Sequence, residues 1–184
     1  MILLIDNNDS FTFNVVQLIK KCCAIPVVVR NCNELEISEV EKFDYIIFSP
    51  GPGVPKDYPI MFEVLKKYGN SKPILGICLG HQAICEYFGG SLRNLREVIH
   101  GYESEVECNY NSVLFKGLNN LTVGRYHSWV VDKLPDCLRV TASCDNLIMA
   151  IEHKSLPIFG VQFHIESYIT KRGEDILKNF LNVR

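Results

Sequence analysis

Short apolar runs alternate with amphipathic stretches along the first 90 residues of the chain. The apolar runs are too short for buried helices and are typical of buried strands, whereas the stretches between them repeat apolar residues with helical spacing. The predicted strands are 2–5, 26–30, 44–48 and 73–77. The predicted helices are 10–22, a short one at 34–42, 58–69 and 80–88. This alternation predicts an α/β fold with a mostly parallel central sheet flanked by helices, and an active site at the carboxyl ends of its strands.

The pattern becomes shorter and richer in β-type residues from 91 to 165. Two runs, 147–152 and 158–163, flank a polar turn at 153–155. They predict a smaller antiparallel β region next to the parallel sheet. No internal repeat, low-complexity tract or linker interrupts the chain, so residues 1–184 are interpreted as a single domain.

The first and last predicted helices each have one apolar face. In the first helix this face is predicted to comprise Phe11, Val15, Leu18 and Cys22, with Asp9 or Ser10 as the cap. In the last helix, predicted at 171–182, the buried residues are expected to be Ile176, Leu177, Phe180 and Leu181.

A candidate nucleophile lies in residues 76–82, which read GICLGHQ. Cys78 stands between two glycines where an apolar strand turns into a helix. A sharp elbow crowds the residues two positions on either side of its tip, so glycine fits best at Gly76 and Gly80. At a helix N-terminus, free N–H groups and the helix dipole favour thiolate over thiol. The alternative is a buried structural cysteine beside a capping glycine.

A second candidate cluster closes another apolar run at residues 160–167, which read GVQFHIES. Residues two apart in a strand share a face, so the Glu166 carboxylate can hold the tautomer of the His164 imidazole. A thiol acyl-transfer site needs a cysteine, a histidine and an acid that meet only in the fold. A histidine at a strand end is often structural, but the presence of Cys78 favours the catalytic interpretation.

The loop 49–53, SPGPG, follows the apolar run 44–48 and is expected at the same sheet edge as Cys78. Its glycines allow the backbone to approach a ligand closely. The N–H groups of Gly51 and Leu79 are candidate donors to an oxyanion formed by thiolate attack. The alternative is a simple turn punctuated by proline and glycine.

Composition narrows the possible partners. The chain has 184 residues, 47% hydrophobic residues and a formal net charge of −2, which suits one buried core and gives no strongly basic surface. The basic residues are scattered, so no nucleic-acid partner is expected. No apolar stretch reaches the length that spans a bilayer, so no membrane partner is expected.

The eight cysteines show no C-x-x-C spacing. Reduced thiols are therefore expected, in the cytoplasm or, for an organellar protein, in the plastid stroma. The apolar start, which ends at Asp6, lacks preceding basic residues and is interpreted as a strand instead of a signal peptide. The histidines are not spaced with the cysteines as a ligand set, so no metal site is expected.

Several motifs in order resemble the class I (triad-type) glutamine amidotransferases, and within them the glutaminase subunits of anthranilate synthase and aminodeoxychorismate synthase. The resemblance spans nearly the whole chain. It rests on residues 6–14 (DNNDSFTFN), 49–53, the Cys78 elbow, 100–101 (HG), 125–128 (RYHS) and 160–167. The opening block and SPGPG are typical of the chorismate-linked branch. The glutaminases of GMP synthase and carbamoyl phosphate synthase usually carry other residues there.

The resemblance implies hydrolysis of L-glutamine, with Cys78, His164 and Glu166 as the catalytic residues. It implies no cofactor in this chain. Ammonia would pass directly to a chorismate-binding synthase subunit in a hetero-oligomer. The implied glutamine-binding residues are Gly51, Pro52, Gly53, Leu79, Gln82, Ser128 and Trp129.

Alternatives remain for two of these residues and for the function. Gln82 is expected to bind the α-amino acid end of glutamine, but it is also compatible with an exposed helical glutamine. His127 is equally compatible with a role at the edge of the pocket or at a partner surface and with a structural role. The functional alternatives are an amidotransferase subunit for another acceptor and a non-catalytic regulatory subunit of the same fold. Whether the isolated chain is active, and whether the product is anthranilate, aminodeoxychorismate or both, is open.

Three residues depart from the usual family pattern: Tyr102, Trp129 and Ile165. None of them removes a reacting group. Ile165 replaces a common proline between His164 and Glu166, and proline fixes φ where isoleucine does not. Trp129 is expected to narrow the glutamine pocket, and Tyr102 to alter contacts with a partner.

Overall fold

A computed structural model describes residues 1–183, which form a mixed sheet of nine strands with helices packed against it. The strands are β1 Ile2–Asp6, β2 Val27–Asn31, β3 Tyr45–Phe48, β4 Ile74–Ile77, β5 Ser91–Cys108, β6 Leu121–Lys133, β7 Leu138–Cys144, β8 Leu147–His153 and β9 Ile158–Val161. The helices are α1 Thr12–Cys22, α2 Pro59–Tyr68, α3 Leu79–Tyr87 and α4 Gly173–Leu181. Two short 3-10 helices span Glu39–Lys42 and Pro55–Asp57.

The strand order is β2-β1-β3-β4-β9-β8-β7-β5-β6. The first five strands pair in parallel, and the remaining pairings are antiparallel. The predicted α/β fold, with a parallel sheet and an added antiparallel region, is therefore confirmed. Because parallel and antiparallel pairings are equal in number, the antiparallel region is larger than the sequence suggested.

Alternation along the parallel strands sends side chains into two cores, one on each face of the sheet. Ile2 and Leu4 of β1 pack in the core that holds the buried residues of α1 and α4. Leu3 and Ile5 pack in the opposite core with α2 and α3. Helices thus cover both faces and leave the carboxyl edges of the strands free for loops.

The buried face of α1 differs from the prediction. Val15 is buried as expected, but Val16 and Ile19 are also buried, while Leu18 and Cys22 are only half-buried. The reason is that α1 packs against both the sheet and α4, so its contact face is wider than one stripe. In α4 the predicted residues Ile176, Leu177 and Phe180 are buried, and Leu181 is half-buried.

Two predicted elements are shorter than expected. The helix predicted at 34–42 is only a four-residue 3-10 helix, Glu39–Lys42. The strand predicted at 158–163 ends at Val161: Gln162 still donates its N–H to the carbonyl of Met149 in β8, but the chain bends at Gln162 and Phe163. This bend decides the position of the residues that follow.

Candidate active site

Cys78 is held in a strained elbow between β4 and α3. Its φ of 51° and ψ of −98° lie outside the regions that side-chain-bearing residues normally adopt. A Cβ atom on Gly76 would lie 2.3 Å from the carbonyl carbon of Gly80, and one on Gly80 would lie 2.6 Å from the Cβ of Phe48. The close packing of β4, the elbow and the start of α3 therefore requires glycine at both positions, as predicted from the sequence.

A pocket of about 170 Å³ opens beside the Cys78 sulfur. Six of the seven predicted substrate-binding residues line it together with Cys78: Gly51, Pro52, Gly53, Gln82, Ser128 and Trp129. The lining also includes Val98, Ile99, His100, Tyr126 and His127. Leu79 is not part of this lining, so any contribution it makes to a bound ligand comes through its backbone.

Two backbone N–H groups next to the elbow are available as donors. Leu79 is the first residue of α3, so its N–H has no partner within the helix. A Cβ on Gly51 would lie 2.5 Å from the Cδ2 of Leu79, which shows how closely the loop after β3 approaches the elbow. Within residues 1–183, no backbone acceptor takes the N–H of Gly51 or Leu79. The geometry therefore suits the predicted oxyanion donors.

His164 and Glu166 form a buried pair, with 2.6 Å between Nδ1 and Oε1. Their side chains are 3% and 0% exposed. The predicted contact is present, but the predicted reason for it is wrong, because β9 ends at Val161. His164 instead donates its backbone N–H to the carbonyl of Gly124, and the turn that follows brings Glu166 back to the ring.

Aromatic rings enclose His164 on two sides. The ring centroids of Phe11 and Tyr126 lie 5.4 Å and 4.9 Å from that of His164, both in edge-on geometry. Burial acts to lower the pKa of His164, but its interactions with Cys78 and Glu166 outweigh burial and raise that pKa well above the usual value. The ring nitrogen Nε2 has no hydrogen-bond partner of normal geometry within residues 1–183. The ring therefore binds a proton more readily than an ordinary histidine, and Nε2 is the nitrogen available for proton transfer.

Replacing Glu166 by glutamine is expected to lower the pKa of His164. The carboxylate is one of the groups that oppose burial, so its removal leaves desolvation less compensated. In the wild type, His164 binds its proton more tightly in the folded state than in the unfolded state, where its pKa is about 6.5. This stabilises the folded protein fully at pH values below the unfolded pKa, and the stabilisation is lost as the pH rises through the higher folded pKa. An NMR titration of the His164 ring measures the shift, with Glu174→Gln, which removes a half-buried carboxylate of α4, as control. An unchanged midpoint in Glu166→Gln would contradict the assignment.

His127 lines the pocket, and both of its ring nitrogens are engaged inside the protein. Its Nε2 lies 3.2 Å from the Nε of Arg125, which can only donate. Nδ1 therefore carries the hydrogen and donates it to the carbonyl of Trp129 at 3.2 Å. Burial, aided by the charge of Arg125, lowers the pKa of His127 to about 4. A neutral ring with both nitrogens occupied fits the structural role better than a catalytic one.

Gln82 is buried, so the alternative of an exposed helical glutamine is wrong. Its Nε2 donates to the carbonyl of Trp129 at 2.9 Å and to Oε1 of Gln162 at 3.2 Å. Gln162 in turn donates from Nε2 to the sulfur of Cys78 at 3.6 Å. Sequence reasoning missed Gln162, although a polar residue at the end of a buried strand needs a partner and could have signalled it.

A larger cavity of about 440 Å³ lies between α1 and the turn after His164. Asn14, Gln17 and Lys21 of α1 line it, and Glu166 borders it. Cys78 is not part of its lining. The smaller pocket is the candidate active site because it alone of these two contains the nucleophile.

All eight cysteines are free thiols. Residues 1–183 contain no group of three or more histidine, cysteine, aspartate or glutamate side chains placed to hold a metal ion. No helix in the described part of the chain is long and apolar enough to cross a membrane.

The fold and site match a known family. The family model for glutamine amidotransferase class-I matches residues 3–183, and the chain belongs to that family. It is 48% identical to a Haemophilus influenzae protein provisionally named anthranilate synthase component II, over 99% of this chain and 96% of that protein. It is 43% identical to the aminodeoxychorismate/anthranilate synthase component 2 of Bacillus subtilis, over 98% of this chain and 95% of that protein.

Solved structures share the fold. One is a Thermoplasma acidophilum protein provisionally assigned as a GMP synthase subunit. It superposes with a TM-score of 0.89 at 26% identity, over 98% of this chain and 91% of that chain. This likeness supports the α/β architecture.

Proposed function

We propose that this chain hydrolyses L-glutamine through a Cys78 thioester and delivers the ammonia to a synthase that aminates chorismate. The observation that carries the proposal is the clustering of three elements around Cys78: the strained elbow itself, the buried His164–Glu166 pair that interacts with it, and two free N–H groups beside it. Together they provide a nucleophile, an oriented base and an oxyanion site.

The first half of the reaction forms the thioester. His164 takes the proton of Cys78, and the thiolate attacks the side-chain amide carbon of glutamine. The N–H groups of Gly51 and Leu79 stabilise the oxyanion of the tetrahedral intermediate. When the C–N bond breaks, the protonated His164 returns its proton to the departing nitrogen, which leaves as ammonia.

The second half releases glutamate. A water molecule attacks the thioester while His164 takes one of its protons, and the C–S bond then breaks. The departing sulfur recovers a proton from His164. Glu166 keeps the imidazole in the required tautomer throughout, because its Oε1 accepts the hydrogen on Nδ1. These steps use only groups of this chain, the substrate and water, so we propose that the chain needs no cofactor.

Glutamine would lie in the pocket with its amide at Cys78 and its α-amino acid end near Gln82. The Nε2 of Gln82 is already bonded to Trp129 and Gln162, so its Oε1 is the atom left for an α-ammonium group. The backbone of Gly51, Pro52 and Gly53 on one side and of Ser128 and Trp129 on the other would enclose the substrate.

A partner follows from the chemistry of the product. Free ammonia takes up a proton in water and diffuses away, so a glutaminase of this kind must pass it on directly. Relatives at 43–48% identity are named as components of anthranilate or aminodeoxychorismate synthases, which favours a chorismate-binding component as the partner. The free thiols suit a reducing compartment such as the cytoplasm.

The partner is expected to co-purify with the chain from its own cells and to use glutamine only when this chain is active. We would identify it by mass spectrometry and analyse the product formed from chorismate with glutamine or with ammonium chloride. The Cys78→Ser complex should retain the ammonium-dependent reaction and lose the glutamine-dependent one. Detection of anthranilate or of aminodeoxychorismate would identify the product of the complex.

Two results would contradict the assigned acceptor or the assigned activity. A partner that binds another acceptor, such as the nucleotide substrate of a GMP synthase, would leave the glutaminase chemistry intact and replace the pathway. Equal use of glutamine by wild-type and Cys78→Ser complexes would instead favour a non-catalytic subunit.

A further inference from the structure

We propose that Gln162 belongs to the catalytic site, where its side-chain amide donates a hydrogen bond to the Cys78 sulfur and stabilises the thiolate. The inference deepens the proposed function and rests on it, since it concerns the same nucleophile. It adds a donor to the cysteine, histidine and glutamate that the sequence singled out.

The side chain of Gln162 contacts the Cys78 sulfur directly, in a buried environment. The Nε2 of Gln162 lies 3.6 Å from the sulfur, which is a normal length for a hydrogen bond to sulfur. Gln162 is 0% exposed and Cys78 is 6% exposed, so water competes little for either group. A hydrogen bond to an ionised acceptor is about twice as strong as one between neutral groups. The amide therefore binds the thiolate more strongly than the thiol.

Neighbouring groups fix the direction of this amide. The carbonyl of Trp129 can only accept, so the NH₂ end of Gln82 must face it. The second hydrogen of Gln82 then goes to Oε1 of Gln162 at 3.2 Å. With its oxygen occupied on that side, Gln162 has only its NH₂ end to offer Cys78. Gln82 thus acts on the sulfur through Gln162 and is a positioning residue.

The donors and acceptors at the Arg125 end of this hydrogen-bond network are also fixed. Arg125 is a donor only, and it holds His127 in the tautomer that donates to the carbonyl of Trp129. That carbonyl therefore receives hydrogens from both His127 and Gln82. The bonds from Arg125 and from Gln82 therefore converge on this carbonyl, and the bonds from Gln82 through Gln162 run the other way and end in a hydrogen pointing at the sulfur.

This arrangement helps at two points of the reaction. Before the attack, it favours transfer of the Cys78 proton to His164. During hydrolysis of the thioester, the C–S bond breaks and the electron pair returns to sulfur, so the same donor stabilises the leaving thiolate. No atom beyond those of the proposed mechanism is required.

The test is the pH dependence of Cys78 alkylation by iodoacetamide, followed by mass spectrometry of the Cys78 peptide. In Gln162→Met, which removes the donor and adds no charge, the midpoint should move upward by about one pH unit, with a rate at neutral pH about tenfold lower. Gln162→Glu also adds a negative charge when ionised, so its midpoint should move at least as far, whereas the midpoint of Gln82→Met should move less in the same direction. The exposed Gln17→Met of α1 is the matched control and should leave the midpoint unchanged.

An unchanged midpoint in folded Gln162 variants would overturn the proposal. If neither variant folds, the wild type provides the measurement: the side-chain amide NMR signal of Gln162 should move when Cys78 titrates or is alkylated, and a signal that does not respond would likewise reject the contact. Alkylation needs no glutamine. A chain that failed to hydrolyse glutamine could therefore still support this inference, and the two failures are distinguishable.

Discussion

Replacing Cys78 by serine is expected to lower glutamine hydrolysis by a factor on the order of 10³ to 10⁶, as for other covalent catalysts that lose their nucleophile. The raised pKa of His164 suits it to take the proton of a thiol, whereas a serine hydroxyl in the same place is far less acidic and remains protonated. The substitution is close to isosteric, so the pocket should keep its shape. Release of glutamate from glutamine, with the partner present, measures the effect.

Covalent labelling separates loss of chemistry from loss of binding. A glutamine-like diazo ketone should label Cys78 in the wild type and leave Cys78→Ala unlabelled. Cys108→Ser is the matched control, because burial raises the pKa of the Cys108 thiol to about 12 and keeps it unreactive. This control should hydrolyse glutamine normally. Wild-type protein that resists the label even with its partner bound would defeat the catalytic assignment.

The assembly of the site was predictable because of the parallel strands. Loops that follow β3, β4 and β9 leave the sheet at one edge, since parallel neighbours end on the same side. The motifs around Gly51, Cys78 and His164 each follow one of these strands. Their meeting at one edge of the sheet therefore follows from the alternation of strands and helices, without knowledge of the strand order.

The antiparallel pair formed by the long strands β5 and β6 was harder to predict from the sequence. Strand β5 runs from Ser91 to Cys108, but only Val106 among its residues is buried, so it lacks the alternation that marks a half-buried strand. Its pairing with β6 also shifts register near Gly101, which has a φ of +73°. A strand with few buried residues and an irregular ladder leaves a weak signal in the sequence.

The hydrogen bonds around the sulfur could not be predicted from local patterns. Gln82 and Gln162 are 80 positions apart in the chain, and their contact depends on how α3 packs against the end of β9. The edge-on ring of Tyr126 beside His164 depends likewise on the bridge between Gly124 and His164. Sequence spacing indicates which residues carry the chemistry, whereas these supporting contacts depend on three-dimensional packing.

Gly76→Ala is expected to destabilise the fold by at least about 3 kcal/mol, the upper end of the usual cost of overpacking. The added Cβ would lie 2.3 Å from the carbonyl carbon and 2.4 Å from the carbonyl oxygen of Gly80, and 2.6 Å from the backbone nitrogen of His81. All three atoms are backbone, so no side chain can rotate away to relieve the clash. Urea unfolding measures the loss of stability.

Gly89→Ala separates this steric effect from the general cost of replacing glycine. Gly89 has a φ of +94° and no atom within 4 Å of an added Cβ, so its replacement should cost about 1 to 2 kcal/mol from backbone strain alone. Gly76 has no such positive φ, and its cost comes from crowding at the elbow. Equal losses in the two variants would mean that the elbow relaxes freely. A larger loss in Gly76→Ala, together with loss of Cys78 labelling in the protein that remains folded, would show that the close approach of β4 to α3 holds the nucleophile in its strained conformation.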